Sequence, residues 1–545
     1  MGLIDRRIGL LFALFLVLLV VAAGRAAWLG GVRAGDLREH AVAQQVEDLT
    51  VPGRRGTITD RRGTELAVSE EAATVFAYPF LVEHPEDAAR RLSPLLDVPE
   101  NELLATLGDR DSGFSYLARQ VDADVGDRVG RLGIEGIDTM PEPARRYPHG
   151  ELASQLVGAV GTDGYGLAGI EQAQEETLRG TDGHRRVVSD ATGQPVSIVE
   201  EERATGGGDL ELTIDAAIQE RVESVLAELG ERYEPRGASA LAVDPNTGEV
   251  LAMASWPAVD ANAWPDAGGL ARQNSAVSTS YEPGSTFKAF TVAGALEEGL
   301  VEPGTEMTLP PTIRVADRTI HESHTRGTVT LDVADILAQS SNVGTVKIGL
   351  RLGVERFDSW VRRFGFGEPT GVEAPGEAPG IVPEAEEYSG SSIGNLPIGQ
   401  GISVTPLQMV QGFSAIANGG VMHRPHVMAG GGSEGQRVLS EHTAAQVSRM
   451  LKGVLGPGGT APEASIDGYD VAGKTGTAEK AVNGTYSKTK FVASFIGFVP
   501  VRDPQLVIAV IVDEPKGNYY GGEVAAPAFE EIASYALPYL GIAPR

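Results

Sequence analysis

Tyr281-Glu-Pro-Gly-Ser-Thr-Phe-Lys-Ala-Phe290 is the stretch from which the rest of this 545-residue chain can be read. Pro283 and Gly284 predict a turn. Phe287, Phe290, Val292, Ala293 and Leu296 predict a mostly buried helix that Gly299 stops. Ser285 therefore stands at a helix start, and residues three apart share a helix face, so the Lys288 amine comes within reach of the Ser285 hydroxyl. That is a nucleophile beside a possible base. A free lysine amine titrates near ~10.4, and burial or a neighbouring cation must bring it toward neutrality before it accepts a proton at useful rates.

By itself the spacing is a weak signal, expected roughly once by chance in a chain this long, and Ser487 with Lys490 repeats it. Lysine usage separates the two. Only eight of the 45 basic residues are lysines, and none precedes Lys288. A chain that otherwise chooses arginine, which cannot lose its proton under working conditions, places lysine here. Two further motifs follow in order, Ser340-Ser-Asn342 and Lys474-Thr-Gly-Thr477. Singly, a Ser-Asn pair reads as a helix cap and Lys-Thr-Gly as a strand end. The ordered series Ser-x-x-Lys, Ser-x-Asn, Lys-Thr-Gly requires three independent matches, and Ser487 to Lys490, with no later Ser-x-Asn, fails it.

Composition narrows the classes. A net charge of -29 argues against nucleic acid as the main partner, and the absence of cysteine excludes disulfides, cysteine nucleophiles and thiolate metal sites. Residues 1–7 carry Arg6 and Arg7 ahead of Ile8–Gly24, an uncharged run of 17 residues. Basic residues before an apolar run place the N-terminus in the cytoplasm, with the bulk of the chain outside it. A cleaved signal peptide is the alternative, given Ala22, Ala23 and Gly24, but Arg25 interrupts the cleavage region and Ala26 to Trp28 continue the helix. The expected organisation is a cytoplasmic tail over 1–7, an uncleaved anchor over 8–28, a juxtamembrane helix over 29–50, an α+β pedestal over 51–205 and a catalytic domain over 209–545. Residues 84–140 predict two or three short amphipathic helices. Arg54 to Gly63 reads as a turn held by Arg to Asp pairing.

In the C-terminal domain, Leu210–Ile214 predicts a strand, Ala216–Leu229 a helix, and Ala238–Val243 with Val250–Ala254 a hairpin. Leu331–Ala338 and Val343–Leu350 predict helices, Phe491–Val499 and Leu506–Val512 strands, and Pro527–Leu540 a closing helix. Early and late strands with helices between them imply one antiparallel sheet with helices on its faces, an α/β arrangement.

The three motifs resemble those of the penicillin-recognising serine acyl transferases. The chain is most similar to class B penicillin-binding proteins, monofunctional peptidoglycan D,D-transpeptidases. The resemblance extends through Arg55-Gly56, Ile58, Asp60-Arg61, Gly63, Arg146-Tyr-Pro148, Gly169-Ile-Glu171, Leu212-Thr-Ile-Asp215, Asp244-Pro245, Gly399-Gln-Gly401, Thr405-Pro-Leu-Gln408 and Ala417-Asn-Gly-Gly420. Glu282 and Asn342 make it more similar to the cell-division branch. The resemblance implies the penicillin-binding-protein fold and Ser285 as the nucleophile that attacks a stem pentapeptide. It implies Lys288 as base, Ser340 as proton relay, Asn342 as holder of the donor amide, and Lys474 as a source of positive potential near Ser340. It further implies Thr475, Gly476 and Thr477 as substrate-binding residues, and the N–H groups of Ser285 and Thr477 as an oxyanion hole, worth about 2.7–4 kcal/mol per donor in a comparable site. Acylation by β-lactams, and a membrane glycan polymerase and division proteins as partners, follow from the same resemblance.

A β-lactamase is disfavoured because no Glu-x-x-Leu-Asn lies between Asn342 and Lys474. A D,D-carboxypeptidase and an elongation-type transpeptidase stay open, as do, less favourably, a division scaffold and a β-lactam sensor. His321-x-x-His324 and His423-x-x-His426 have ligand-like spacing without a convincing third ligand, so neither a metal nor a cofactor is expected.

Overall fold

The computed structural model describes residues 2–31, 46–189, 195–482 and 484–544. The chain divides into two compact units, each assembled from separated segments. Met1–Arg54, Glu71–Pro143 and Gly180–Gly207 form one; Arg55–Glu70, Ala144–Arg179 and Gly208–Arg545 form the other. Residues of the expected 51–205 pedestal thus contribute to both.

In the first unit the apolar run forms the 30-residue helix Gly2–Gly31. Its stretch Arg7–Gly31 has mean hydropathy 2.5 and is nowhere buried, and 25 residues rise about 37 Å, enough to cross a hydrocarbon core of about 30 Å. Among the described residues this is the one helix long and apolar enough to span a membrane. Most of the juxtamembrane helix expected over 29–50 lies outside the described residues. Where description resumes, Val46–Val51 is a strand, paired antiparallel with Gly183–Ser189, which pairs in turn with Pro195–Glu202. Three of its residues are β-branched, and a partner far away in sequence, invisible to a local reading, completes its hydrogen bonds. The three helices Pro85–Leu96, Glu100–Gly108 and Ala123–Arg131 bury Leu92, Leu103, Leu107 and Val129 in one core with Val75 and Leu117.

In the second unit β1 (Gly237–Val243) and β2 (Val250–Trp256) form the early hairpin; β3 (Ala472–Val482), β4 (Thr485–Val499) and β5 (Leu506–Asp513) come late. Their order in the sheet is β2-β1-β5-β4-β3, antiparallel throughout, with β3 at an edge. Apolar residues run almost unbroken along these strands because both faces are covered. On β5, Val507, Ala509 and Ile511 enter one core cluster while Leu506, Ile508, Val510 and Val512 enter the other. The helices that matter for the site are α1 (Ala216–Tyr233), α2 (Lys288–Glu297), α3 (Val333–Ala338), α4 (Asn342–Leu352), α5 (Pro406–Ala417) and α6 (Gly521–Tyr539). Ile218, Val222, Phe529 and Ile532 of α1 and α6 share one cluster with Phe495, and Phe290, Leu407 and Phe413 of α2 and α5 share the other with Ile496.

Three local expectations are corrected. The strand at 210 is only Leu210–Glu211, after which the Asp215 carboxylate caps α1 by accepting from the N–H groups of Ala217 and Ile218. The closing helix begins at Gly521 rather than Pro527, because Gly521 is where its backbone meets the sheet: a Cβ there would lie 2.3 Å from the Gly476 carbonyl oxygen. The Arg54 to Gly63 turn is held by Asp60 accepting from the N–H groups of Arg62 and Thr64, not by Arg to Asp pairing within it; Arg55 pairs instead with the buried Glu171.

Candidate active site

The turn at Gly284–Phe287 is a single 3₁₀ stretch that runs straight into α2. Ser285 therefore lies in its first turn, half-buried, and Lys288 opens the α-helix with no exposed surface. The turn is anchored from below. The Gly284 N–H donates to the Gly399 carbonyl at 3.0 Å, and a Cβ on Gly399, which sits at φ +77°, would lie 2.1 Å from the Gly284 oxygen. β3 also packs against the turn, since a Cβ on Gly476 would lie 3.0 Å from the Pro283 oxygen, and 2.3 Å from Ser494 Oγ on the neighbouring β4. These contacts leave no room for a side chain at Gly476.

Lys288 Nζ donates to the Ser340 carbonyl at 2.6 Å and to Asn342 Oδ1 at 2.6 Å, and lies 3.2 Å from Ser340 Oγ. It forms no ion pair with a carboxylate among the described residues. Burial pulls its pKa down to about 7; Glu322 opposes this and Arg326 adds to it. A neutral amine has two N–H donors and one lone pair. The two obligatory acceptors take the donors, which leaves the lone pair for a hydroxyl; the one within hydrogen-bond distance is that of Ser340, and no hydrogen bond joins Lys288 to Ser285 among the described residues. The Ser285 hydroxyl makes no hydrogen bond among the described residues, so its proton is uncommitted.

Ser340 occupies the left-handed region at φ +58°, uncommon for a residue with a side chain, in the break between α3 and α4. This conformation turns its carbonyl onto Lys288. Asn342 is the first residue of α4; its Nδ2 donates to the His321 carbonyl at 2.9 Å, which fixes the amide so that Oδ1 faces Lys288. The group that organises this corner is Glu322. Its carboxylate accepts from the Asn342 N–H at 2.9 Å, from Ser341 Oγ at 2.7 Å and from Arg326 Nη2 at 2.6 Å. Its side chain is only 5% exposed. A sequence reading drawn to His321 and His324 passes over the glutamate between them. Its partner Arg326 is four residues on, but the contacts that tie it to the site, with Ser341 and Asn342, are made to a helix start about twenty residues away and leave no spacing signal.

Lys474, on β3, is also fully buried, and its Nζ lies 3.2 Å from the Thr475 carbonyl oxygen. Burial, then the proximity of Lys288, hold its pKa well below the usual lysine range. It makes no hydrogen bond to Ser340 among the described residues, so any potential it exerts there acts through space. Thr475 Oγ1 lies 2.7 Å from Thr460 Oγ1, and Thr477 Oγ1 accepts from the Gly521 N–H at 3.0 Å. Ser285, Ser340, Asn342, Thr475 and Thr477 all line one cleft of about 1150 Å³, with Tyr519 and Tyr520 at its wall. The separate Ser487 and Lys490 spacing forms no such arrangement: Lys490 pairs with Glu514 at 2.9 Å. Among the described residues no group of three or more histidine, aspartate and glutamate side chains converges as a metal site.

The penicillin binding protein transpeptidase domain matches residues 238–534, more than half of the chain, and the penicillin-binding protein dimerisation domain matches residues 50–212. The chain belongs to the penicillin-binding protein transpeptidase family. The two domains in this order are those of a class B penicillin-binding protein. This penicillin-binding protein is 33% identical over 550 residues to the probable peptidoglycan D,D-transpeptidase PenA of Neisseria meningitidis, covering 99% of this chain and 94% of that one. It is 33% identical over 557 residues to the peptidoglycan D,D-transpeptidase FtsI of Escherichia coli, covering 99% and 93%. Among solved structures it resembles penicillin-binding protein 3 of Mycobacterium tuberculosis in complex with aztreonam, with a TM-score of 0.72 and 30% identity over 91% of this chain and 98% of that one. The fold expected from the three motifs is thus the fold observed.

Proposed function

We propose that this protein is a membrane-anchored peptidoglycan D,D-transpeptidase working through an acyl-enzyme at Ser285. The observation that carries this reading is the Lys288 amine, buried, near neutrality, and bracketed by the Ser340 carbonyl and the Asn342 amide. In this reading Ser285 Oγ attacks the carbonyl of the penultimate D-alanine of a stem pentapeptide, and Lys288 Nζ takes the hydroxyl proton. The N–H groups of Ser285 and Thr477 bear the oxyanion. The C–N bond to the terminal D-alanine breaks, and the proton returns to the leaving amine through Ser340, whose Oγ lies 3.2 Å from the lysine. Asn342 holds the donor amide, and Thr475 and Thr477 hold the terminal carboxylate beside Lys474. An amine from a second stem then attacks the ester and frees Ser285. β-Lactams enter the first half of this sequence and stop there.

The relatives named peptidoglycan D,D-transpeptidases support this reading, and the long apolar helix supports the anchor. Arg6 and Arg7 place the N-terminus in the cytoplasm, with residues 51–205 as a pedestal and 209–545 as the reacting domain outside. Glu282 and Asn342 favour a septal role, with a membrane glycan polymerase and division proteins as partners. The test is stoichiometry. Full-length protein in detergent, given a stem pentapeptide donor and an amine acceptor, is expected to release D-alanine and form crosslinked product in comparable amounts. D-Alanine released with only hydrolysed donor would instead identify a carboxypeptidase.

A further inference from the structure

We infer that Glu479 selects donor stem peptides whose third residue carries a free side-chain ammonium, a preference that rests on reading the cleft as the donor-peptide site. β3 is an edge strand, so its outer backbone groups are open to pairing with an extended peptide. Thr475, Thr477 and Glu479 are alternate residues of that strand, and all three line the cleft. A pentapeptide whose terminal carboxylate is held at Thr475 and Thr477 extends along this edge. Its third residue lies two residues before its last, about 7 Å back in an extended chain, and Glu479 lies two residues past Thr477, the same rise on the same face.

The carboxylate waiting there is uncommitted. Glu479 is half-buried and makes no ion pair or side-chain hydrogen bond among the described residues. Lys480 is engaged with Asp513 at 2.6 Å and Glu514 at 2.7 Å, and Lys490 with Glu514 at 2.9 Å, while Arg318, which lines the cleft, forms no ion pair with Glu479 among the described residues. Lys488, which also lines the cleft, forms no ion pair with it. The nearby Glu282 accepts through Oε1 from the Gly401 N–H and the Tyr486 hydroxyl, each at 3.1 Å, its Oε2 is buried without a partner among the described residues, and it does not line the cleft. Glu479 is thus a carboxylate without a protein partner among the described residues at the point where the donor's third side chain arrives.

The test uses full-length protein in detergent micelles and two synthetic stem pentapeptides ending in D-alanyl-D-alanine. They are identical except that the third-residue side-chain amine is free in one and acetylated in the other. Each competes with a fluorescent penicillin for the protein. On wild type the free-amine peptide is expected to halve labelling at a concentration about threefold to tenfold lower, the size expected of a partly exposed ion pair. In Glu479→Gln the two peptides become equal, and in Glu479→Lys the order reverses. Labelling by penicillin alone is measured for each protein, and the competition by the two peptides is compared within each. Equal potency on wild type, or a preference that survives in Glu479→Gln, overturns the inference. Loss of penicillin labelling from the wild type would instead overturn the transpeptidase reading, and the inference with it.

Discussion

Lys288→Arg is expected to lower the rate of β-lactam acylation by about 10³-fold or more. The substitution keeps the positive charge and leaves both acceptors, the Ser340 carbonyl and Asn342 Oδ1, with donors. What it removes is the ability to lose a proton, since a guanidinium stays charged under working conditions. General-base assistance contributes about 10²–10⁴-fold in acyl transfer, and arginine abolishes all of it. The guanidinium is also larger than the ammonium in a site with no exposed surface, so the melting temperature of the variant is measured alongside. A folded variant with a rate near zero supports the base; a folded variant acylated at the wild-type rate removes that role from Lys288.

The second large effect is on pH. The Lys288 amine is held at about 7 by burial, so below that value the ammonium predominates, its lone pair is occupied and it cannot accept the Ser285 proton. The acylation rate constant is therefore expected to rise with pH to a plateau, with its midpoint near 7. On the acid side it falls about tenfold per unit, to about one hundredth of the plateau at pH 5. Stopped-flow acylation by a fluorescent penicillin across this range measures it. A profile flat between pH 5 and pH 7 would mean that a group of lower pKa, or none, takes the proton. Lys288→Arg serves as the control, since whatever slow reaction it retains is expected to lack this inflection.

The parts of this protein legible from sequence are those with short-range signatures. The turn and helix after Pro283, the hairpin of β1 and β2, and the late strands β4 and β5 announce themselves through local composition and period. The scarcity of lysine singles out Lys288, and the order of three motifs joins Ser285 to residues far along the chain that the fold brings to one cleft. What sequence does not show depends on approach between distant segments. Glu322 holds Ser341 and Asn342 through groups that any glutamate could reach only in this fold. The motifs mark Gly399 and Gly476, but not the steric demand on them, which shows only where the backbone of Gly284 and the side chain of Ser494 lie against them. Gly521 reads as a helix breaker for the same reason, although the helix begins there. The unusual φ of Ser340, which aims its carbonyl at the lysine, has no signature in a serine.

The central claim is that Ser285 is the atom acylated. Full-length protein treated with benzylpenicillin and digested, with the adduct located by mass spectrometry of the peptides, tests it directly. The account predicts one penicilloyl group, on the peptide and at the residue corresponding to Ser285, and none on Ser285→Ala treated identically. An adduct on another residue, or equal labelling of the two proteins, would contradict it.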